Sequence, residues 1–221
     1  MPFITFEGAE GCGKSTQVNR LSARLGKGGI NPLVLREPGG TAIGEAIRHL
    51  LQHTEENHGM TAETELLLFE ASRIQLVREK IQPALARGEW VICDRFFDST
   101  TVYQGAARNL APEFIQRLNT FAVDDCIPDL TFVLDIDRAT ARLRLDHRQK
   151  IRDRLEDESN EFHERVIHAY RELARNEPKR LVLLDGRRSF NEIEDDIWRT
   201  VSMRFPDLAA SPPSAIRNQQ S

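Results

Sequence analysis

The segment Gly8-Ala9-Glu10-Gly11-Cys12-Gly13-Lys14-Ser15-Thr16 has the spacing G-x-x-x-x-G-K-[ST] of a phosphate-binding loop. It follows the apolar, β-prone run Pro2 to Phe6 and precedes Gln17 to Leu25, where apolar residues recur at helical spacing. A strand that enters a glycine-rich turn and leaves it as a helix points several backbone N–H groups at one place. The sequence therefore predicts a nucleoside triphosphate site in which Lys14 contacts the β- and γ-phosphates and the Ser15 hydroxyl ligates Mg²⁺.

The overall composition is that of an ordinary globular protein, with 221 residues, 40% hydrophobic and 29% charged. The net charge of −4 argues against a nucleic-acid-binding protein, which would need a basic surface. No apolar run reaches the length of a membrane span, and the first strand starts so early that we expect no signal peptide. Cys12, Cys93 and Cys126 have no C-x-x-C spacing, so we expect free thiols in the reducing cytoplasm.

Short apolar runs alternate with helical patterns along the whole chain. Four more strands are predicted, at Pro32 to Leu35, Trp90 to Asp94, Leu130 to Leu134 and Leu181 to Leu184. A long helix is expected over residues 61–86, with a kink at Pro83. This order predicts an α/β fold of the P-loop type, with a five-stranded parallel sheet and helices on both faces. We expect one domain over residues 1–205 and a flexible tail over 206–221.

Polar segments follow the predicted strands where a parallel sheet binds its ligands. The P-loop, Arg36 to Thr41 and Asp94-Arg95 should therefore surround one cleft. A dense run of basic residues spans about 142–154, and it contains Arg142, Arg144, Arg148, Lys150, Arg152 and Arg154. Two phosphate-bearing substrates need such a surplus of positive charge, so the run is predicted to be a short arginine-rich lid. A solvated amphipathic helix is the alternative for this run.

Several blocks closely resemble bacterial thymidylate kinases, in order along residues 3–200. They are Phe6 to Gln17, Arg36 to Thr41, Asp94 to Phe96 with Ser99-Thr100 and Tyr103-Gln104, and Asp153 to Glu156. The resemblance implies the fold of P-loop nucleoside monophosphate kinases and a homodimer. It also implies transfer of the γ-phosphate of MgATP to dTMP, giving dTDP and ADP on the route to dTTP. Residues 8–16 would then form the ATP-binding loop.

The resemblance also implies roles for individual residues in binding dTMP. Phe69 would stack on thymine, and Arg73, one turn later, would donate to a base carbonyl. Thr100 and Gln104 would contact the base edge, and Tyr103 would lie beside the deoxyribose. Arg95 and Arg36 would hold the monophosphate, Glu10 would lie near the sugar 3′-hydroxyl and the transfer centre, and Asp94 would belong to the magnesium shell. For Phe69, a plain core position is the alternative.

The family divides by the position of its catalytic arginine. Glu10 to Gly13 contains no arginine, so the resemblance places this charge in the lid. Bacterial lids usually carry Arg-Gly where this chain has Gln149-Lys150, which leaves Arg148, Arg152 and Arg154 as candidates beside Lys14, Glu10 and Arg95. The alternatives to this function are a kinase for another nucleotide and a nucleotide-gated binding module.

Cys12 lies in the phosphate loop close to a helix N-terminus. Such a position favours the thiolate, so the sequence predicts that Cys12 is more reactive than Cys93 in its buried strand. The alternative is a small residue that only fills space.

Overall fold

The computed structural model describes residues 1–54, 57, 59–147 and 153–206. Arg148 and Arg152 of the expected lid, and residues 207–221 of the expected tail, lie outside the described residues. Within this part of the chain, no helix combines the length and the apolar composition needed to cross a membrane.

The described residues form one parallel sheet of five strands, which confirms the predicted fold class. The strands are β1 (Phe3–Glu7), β2 (Leu33–Arg36), β3 (Val91–Asp94), β4 (Leu130–Asp135) and β5 (Leu181–Asp185). Their spatial order is β2-β3-β1-β4-β5, so the strand that leads into the P-loop is central. The Thr5 and Thr131 hydroxyls lie 2.7 Å apart between neighbouring strands, and this hydrogen bond satisfies two buried polar groups.

Helices connect the strands on both faces of the sheet. They are α1 (Lys14–Lys27), α2 (Ala42–Gln52), α3 (Ala62–Leu76), α4 (Gln82–Ala86), α5 (Phe97–Thr100), α6 (Pro112–Val123), α7 (Arg138–Asp146), α8 (Asn160–Asn176) and α9 (Phe190–Arg204). Ile4, Phe6 and Phe132 pack with apolar residues of α1 and α9 on one face. Phe3 and Cys93 contribute to the opposite face, where α3 and α4 pack. Because side chains alternate along a strand, each central strand supplies both cores.

The helix expected over 61–86 is interrupted rather than regular. A π-helical turn over Val77–Ile81 joins α3 to α4. Pro83 has no N–H, and its ring crowds the carbonyl four residues earlier in a regular α-helix. The wider turn before it carries the chain past this position without ending the helix.

A second π-helical segment covers Thr101–Ala107, directly after α5. It buries Tyr103 and Gln104, two of the residues expected in the site. Their place is therefore set by a helical segment packed against α8, and not by an exposed loop.

Candidate active site

A cleft of about 690 Å³ opens at the carboxyl ends of the central strands. It brings together segments that the sequence placed there, namely the P-loop, the turn after β2 and the residues after β3. Its walls include Glu10, Gly11, Gly13, Lys14, Ser15, Thr16, Arg36, Phe69, Asp94, Arg95, Thr100, Tyr103 and Gln104. They also include Arg48, Gln52 and Phe190, which the sequence reasoning missed, and four residues of predicted segments that had been given no role of their own, namely Glu37, Ser99, Arg144 and Asp153.

The P-loop is held by close backbone contacts. Gly8 has φ of 135°, and a Cβ there would lie 2.5 Å from the Leu134 carbonyl oxygen, so only glycine fits. Gly13 caps α1 without a side-chain hydrogen bond, which leaves the first N–H groups of the helix for an anion. The buried Lys14 side chain curls back, and its Nζ donates to the carbonyl oxygens of Gly8 and Ala9, each at 3.0 Å. The loop therefore collects backbone donors and one cation at a single point.

Cys12 does not have the exposure that a reactive thiol requires. It is 1% exposed, belongs to the core under the sheet and accepts a 3.5 Å hydrogen bond from Lys14 Nζ. Burial therefore argues against rapid modification of Cys12 in the folded protein, whereas its predicted greater reactivity than Cys93, which is 0% exposed, stays a prediction. A cysteine near a helix N-terminus reacts only if a reagent can reach its sulfur, and the Cys12 side chain packs in the core.

Ser15 and Asp94 meet at the nucleotide end of the cleft. The Ser15 hydroxyl donates to Asp94 Oδ2 at 2.5 Å. A hydroxyl and a carboxylate side by side are hard oxygen ligands of the kind that Mg²⁺ uses together with phosphate oxygens and water. These two residues fit the expected magnesium ion.

Arg95 lies at the end of the cleft opposite Ser15. Its backbone has φ of 73°, a left-handed conformation that is uncommon for an arginine. Its guanidinium donates to Glu10, to Ser99 Oγ at 3.1 Å, and to the hydroxyls of Tyr103 and Tyr170, each at 3.2 Å. Burial opposes its charge, but Glu10 and the two tyrosines outweigh this and raise the pKa of Arg95 well above its usual value. Arg95 therefore presents a fixed positive charge to the cleft.

Glu7 supports this arrangement from below and was missed by the sequence reasoning. It is fully buried at the end of β1, and burial raises the pKa of its carboxyl. It accepts from the Phe96 N–H at 2.7 Å, the Ser99 hydroxyl at 2.6 Å and the Tyr170 hydroxyl at 2.7 Å. An acid at the end of an apolar strand gives no sequence signal for this role, because its partners come from the turn after β3, from α5 and from α8.

Phe69, Thr100, Tyr103 and Gln104 form the wall beyond Arg95. Phe69 is half-buried and packs on the apolar cluster around α8 while it also lines the cleft. The core role and the ligand-facing role are therefore compatible for this side chain. The Arg95 guanidinium carbon lies 5.1 Å from the centre of the Tyr103 ring, a cation–π contact.

Arg73 does not lie on the wall of the cleft. It is 1% exposed, and its guanidinium donates to Glu37 at 2.9 Å, to Glu70 at 2.7 Å and to the Thr100 hydroxyl at 3.0 Å. Its remaining N–H groups face Glu37 again and the Phe96 carbonyl oxygen. Arg73 thus stands directly behind Thr100, and its direct contact with a base stays a prediction.

Arg36 reaches the rim of the cleft, where its exposed guanidinium donates to Glu45 at 2.8 Å. Arg48 lies near it and donates to the Pro38 carbonyl at 2.9 Å. The place of Arg48 in the cleft could not be predicted from sequence, because a single arginine on the amphipathic helix α2 is expected to face solvent.

The arginines of the expected lid take different places. Arg154 donates to the buried Glu65 and to the Leu51 carbonyl at 3.4 Å, and it is not part of the cleft wall. Arg144 does line the cleft, and its Nη1 is buried without a hydrogen-bond partner among the described residues. Arg144 therefore joins the candidates that the sequence provided.

The comparisons with known proteins agree with this geometry. The family model described as "Thymidylate kinase" matches residues 6–197. A thymidylate kinase of Afipia carboxidovorans is 43% identical over 217 residues, covering 97% of this chain and 93% of the relative. One of Fervidobacterium nodosum is 46% identical over 195 residues, covering 88% of this chain and 95% of the relative. The crystal structure of thymidylate kinase from Ehrlichia chaffeensis superimposes with a TM-score of 0.73 at 31% identity, covering 91% of this chain and 98% of the other.

These matches confirm the family that the sequence motifs indicated. They span nearly all of both chains, and they include the P-loop, the Asp94-Arg95 turn and the wall that follows it. The chain therefore belongs to the thymidylate kinase family.

Proposed function

We propose that the chain transfers the γ-phosphate of MgATP to dTMP, giving dTDP and ADP. One observation carries this proposal: a single cleft holds a P-loop at one end and a fixed arginine, Arg95, at the other. A phosphate oxygen of dTMP attacks the γ-phosphorus, and the bond from that phosphorus to the β–γ bridging oxygen breaks. No covalent enzyme intermediate is needed, so catalysis consists of positioning and charge stabilisation.

The P-loop residues 8–16 bind the donor. The free N–H groups at the start of α1 hold the β-phosphate, and Lys14 turns from the Gly8 and Ala9 carbonyls to the β- and γ-phosphates. Ser15 and Asp94 would hold Mg²⁺, which when bound neutralises phosphate charge and orients the γ-phosphate. Ser15 presents its hydroxyl from the first turn of α1, and Asp94 presents its carboxylate from the end of β3.

The acceptor lies at the Arg95 end. Arg95, with Arg36 at the rim, binds the dTMP phosphate and offsets the repulsion between the two anionic substrates. Glu10 accompanies Arg95 and faces the sugar 3′-hydroxyl next to the transfer centre. The ring of Tyr103 lies against the deoxyribose. Phe69 stacks on thymine, Thr100 and Gln104 contact the base edge, and Arg73 supports Thr100 from behind.

A lid arginine supplies the charge that the P-loop lacks. Arg148, Arg152 and Arg154 are the proposed candidates, within a lid over about 142–154, and Arg144 is added by its place on the cleft wall. Single changes to alanine at each position test them. A transition-state arginine should lower kcat by up to about 10³-fold with little change in KM. If Arg154 mainly anchors the lid, its replacement should lower thermal stability instead, since Glu65 would lose a buried partner.

A homodimer is also proposed. Helix α3 packs against both α2 and α6, and these three helices expose large apolar side chains, among them Ile43, Leu67, Phe114 and Phe121. Exposed apolar side chains that lie together are typical of a protein interface. The chain is further proposed to act in the cytoplasm without a nucleic-acid partner, as one domain over residues 1–205 followed by a tail. Analytical ultracentrifugation tests the dimer.

One assay separates the proposed function from its alternatives. Coupled ADP release is measured with each deoxynucleoside and ribonucleoside monophosphate in turn. ADP release that depends on dTMP supports the proposal. Release that depends on another nucleotide points to a different kinase, and release without any acceptor points to a nucleotide-gated binding module.

A further inference from the structure

The buried carboxylate of Glu7 connects the P-loop to the segment that carries Arg95. Glu7 is the last residue of β1, and the P-loop begins at the next residue, Gly8. Its side chain is 0% exposed, and its Oε1 accepts from the backbone N–H groups of Phe96 at 2.7 Å and of Ser99 at 3.3 Å. One carboxylate oxygen therefore joins the start of the donor loop to the turn after β3.

The other oxygen, Oε2, accepts from two hydroxyl groups. Ser99 Oγ lies 2.6 Å from it, and Tyr170 Oη lies 2.7 Å from it. A hydroxyl has a single hydrogen, so each group uses its only hydrogen for the bond to Glu7. Lone pairs remain on both oxygens, and the Arg95 guanidinium donates to Ser99 Oγ at 3.1 Å and to Tyr170 Oη at 3.2 Å. Glu7, the two hydroxyls and Arg95 thus form a hydrogen-bond relay.

The direction of this relay is fixed at both ends. A guanidinium only donates, so Arg95 needs acceptors at the two hydroxyls, and an ionised carboxylate supplies the acceptor for their hydrogens. Burial raises the pKa of the Glu7 carboxyl, whereas Arg95, 3.8 Å from Oε2, and the hydrogen bonds from Ser99 and Tyr170 favour its ionised form. Glu7 therefore makes acceptors of two hydroxyls that could otherwise donate.

We propose that Glu7 is a positioning residue for the acceptor phosphate: it holds Arg95 through the Ser99 and Tyr170 hydroxyls and ties this arginine to the P-loop. The inference rests on the proposed function, in which Arg95 binds the phosphate of dTMP. Glu7 does not line the cleft, so it acts on a ligand through other residues. Loss of its charge should weaken recognition of the phosphate and leave recognition of the nucleoside unchanged.

The test measures the dissociation constants of dTMP and of thymidine, which lacks the phosphate, by isothermal titration calorimetry at mildly alkaline pH. In Glu7→Gln, the amide oxygen must face the N–H groups of Phe96 and Ser99, because these groups only donate, and the NH₂ then faces the two hydroxyls. Ser99 and Tyr170 must accept from it, and their hydrogens turn toward Arg95. We expect the preference for dTMP over thymidine to fall about tenfold or more.

A double-mutant cycle separates the relay from a general loss of structure. Tyr170→Phe removes one of the two hydroxyls and keeps the ring, so it should lower the preference about 2–12-fold. In the Glu7→Gln background the same change should have no further effect, because the Tyr170 hydroxyl no longer accepts from Arg95. Two falls that multiply in the double variant would overturn the inference.

Glu70→Gln is the matched control for the loss of a buried carboxylate. Glu70 is 3% exposed and accepts from Arg73 at 2.7 Å, and no hydrogen bond joins it to Arg95 in the described part of the chain. Its preference for dTMP over thymidine should equal that of the wild type, whatever its loss of thermal stability.

An equal loss of affinity for both ligands in Glu7→Gln would also overturn the inference, because a merely structural residue harms both alike. If this variant does not fold, Ser99→Ala and Tyr170→Phe provide the measurement, and a wild-type preference in both would refute the relay. A wild-type protein that binds dTMP no more tightly than thymidine would instead refute the proposed contact between Arg95 and the acceptor phosphate, which keeps the two failures distinct.

Discussion

Tyr103 has two separable tasks in the proposed site, and a pair of substitutions distinguishes them. Its hydroxyl accepts from Arg95 at 3.2 Å, and its ring lies under the Arg95 guanidinium, 5.1 Å away. Tyr103→Phe removes one hydrogen bond and keeps the ring. Arg95 retains Glu10, Ser99 and Tyr170, so the loss should be about 0.5–1.5 kcal/mol, or about 2–12-fold in kcat/KM for dTMP.

Tyr103→Ala removes the ring as well. The ring is 4% exposed, and a ribonucleotide 2′-hydroxyl placed against it would lose its water without gaining a partner. That penalty of about 1–3 kcal/mol gives a preference for the deoxy form of about 5–150-fold. The preference should persist in Tyr103→Phe and shrink in Tyr103→Ala, although the alanine variant should also lose about 3–5 kcal/mol of stability.

The assay is coupled ADP release with dTMP and its ribo analogue in parallel, below the melting temperature of each variant. Taking the ratio of the two kcat/KM values cancels any loss of folded enzyme. If both variants keep the wild-type ratio, the ring does not select the sugar. If Tyr103→Phe changes the ratio as much as Tyr103→Ala, selectivity acts through the Arg95 hydrogen bond instead.

Four further outcomes are expected. Lys14→Ala should remain folded but weaken ATP binding about 10–150-fold, and near-normal turnover would contradict the assignment of the P-loop. Gly8→Ala should lower the free energy of unfolding by about 2–4 kcal/mol, because its Cβ would lie 2.5 Å from the Leu134 oxygen at φ of 135°. An unchanged free energy of unfolding in a denaturant titration would contradict this. Cys12, buried at 1% exposure, should be alkylated only after denaturation, and rapid labelling of the native protein would contradict this. Burial lowers the pKa of His163 below its usual value, so the folded state binds fewer protons than the unfolded state. The free energy of unfolding should therefore fall as the pH drops below about 6.5. This contribution to the pH dependence of stability should be absent in His163→Gln.

The fold was predicted from short sequence patterns. The P-loop spacing, the apolar strand runs and the turn after β3 are each contained within a few residues, and the structure assembles them as expected. The departures arose where the decisive partner is distant in sequence. The π-helical turn before Pro83 depends on how a long helix packs, and periodicity alone does not contain that information.

The same limit applies to the candidate site. The strand-end residues of the cleft were found from sequence, because parallel strands place their carboxyl ends together. Glu7 and Glu65 were missed, since an acid in an apolar segment shows its role only through the arginines, hydroxyls and amides that other elements bring to it. The burial of Cys12 could not be predicted, because a residue's position in a motif does not tell which way its side chain points.

In the proposed mechanism, the left-handed backbone at Arg95 determines how the two reactants are aligned. Asp94 points to Ser15 at the donor end, and the next residue, Arg95, points to Glu10 at the acceptor end. Adjacent Cα atoms are about 3.8 Å apart, a distance fixed by covalent geometry. In the proposed mechanism, the single peptide unit that follows β3 therefore sets the offset between the donor and acceptor ends of the cleft. Thermal motion of the surrounding helices can change how tightly each nucleotide is held, yet it does not change the distance between these two Cα atoms.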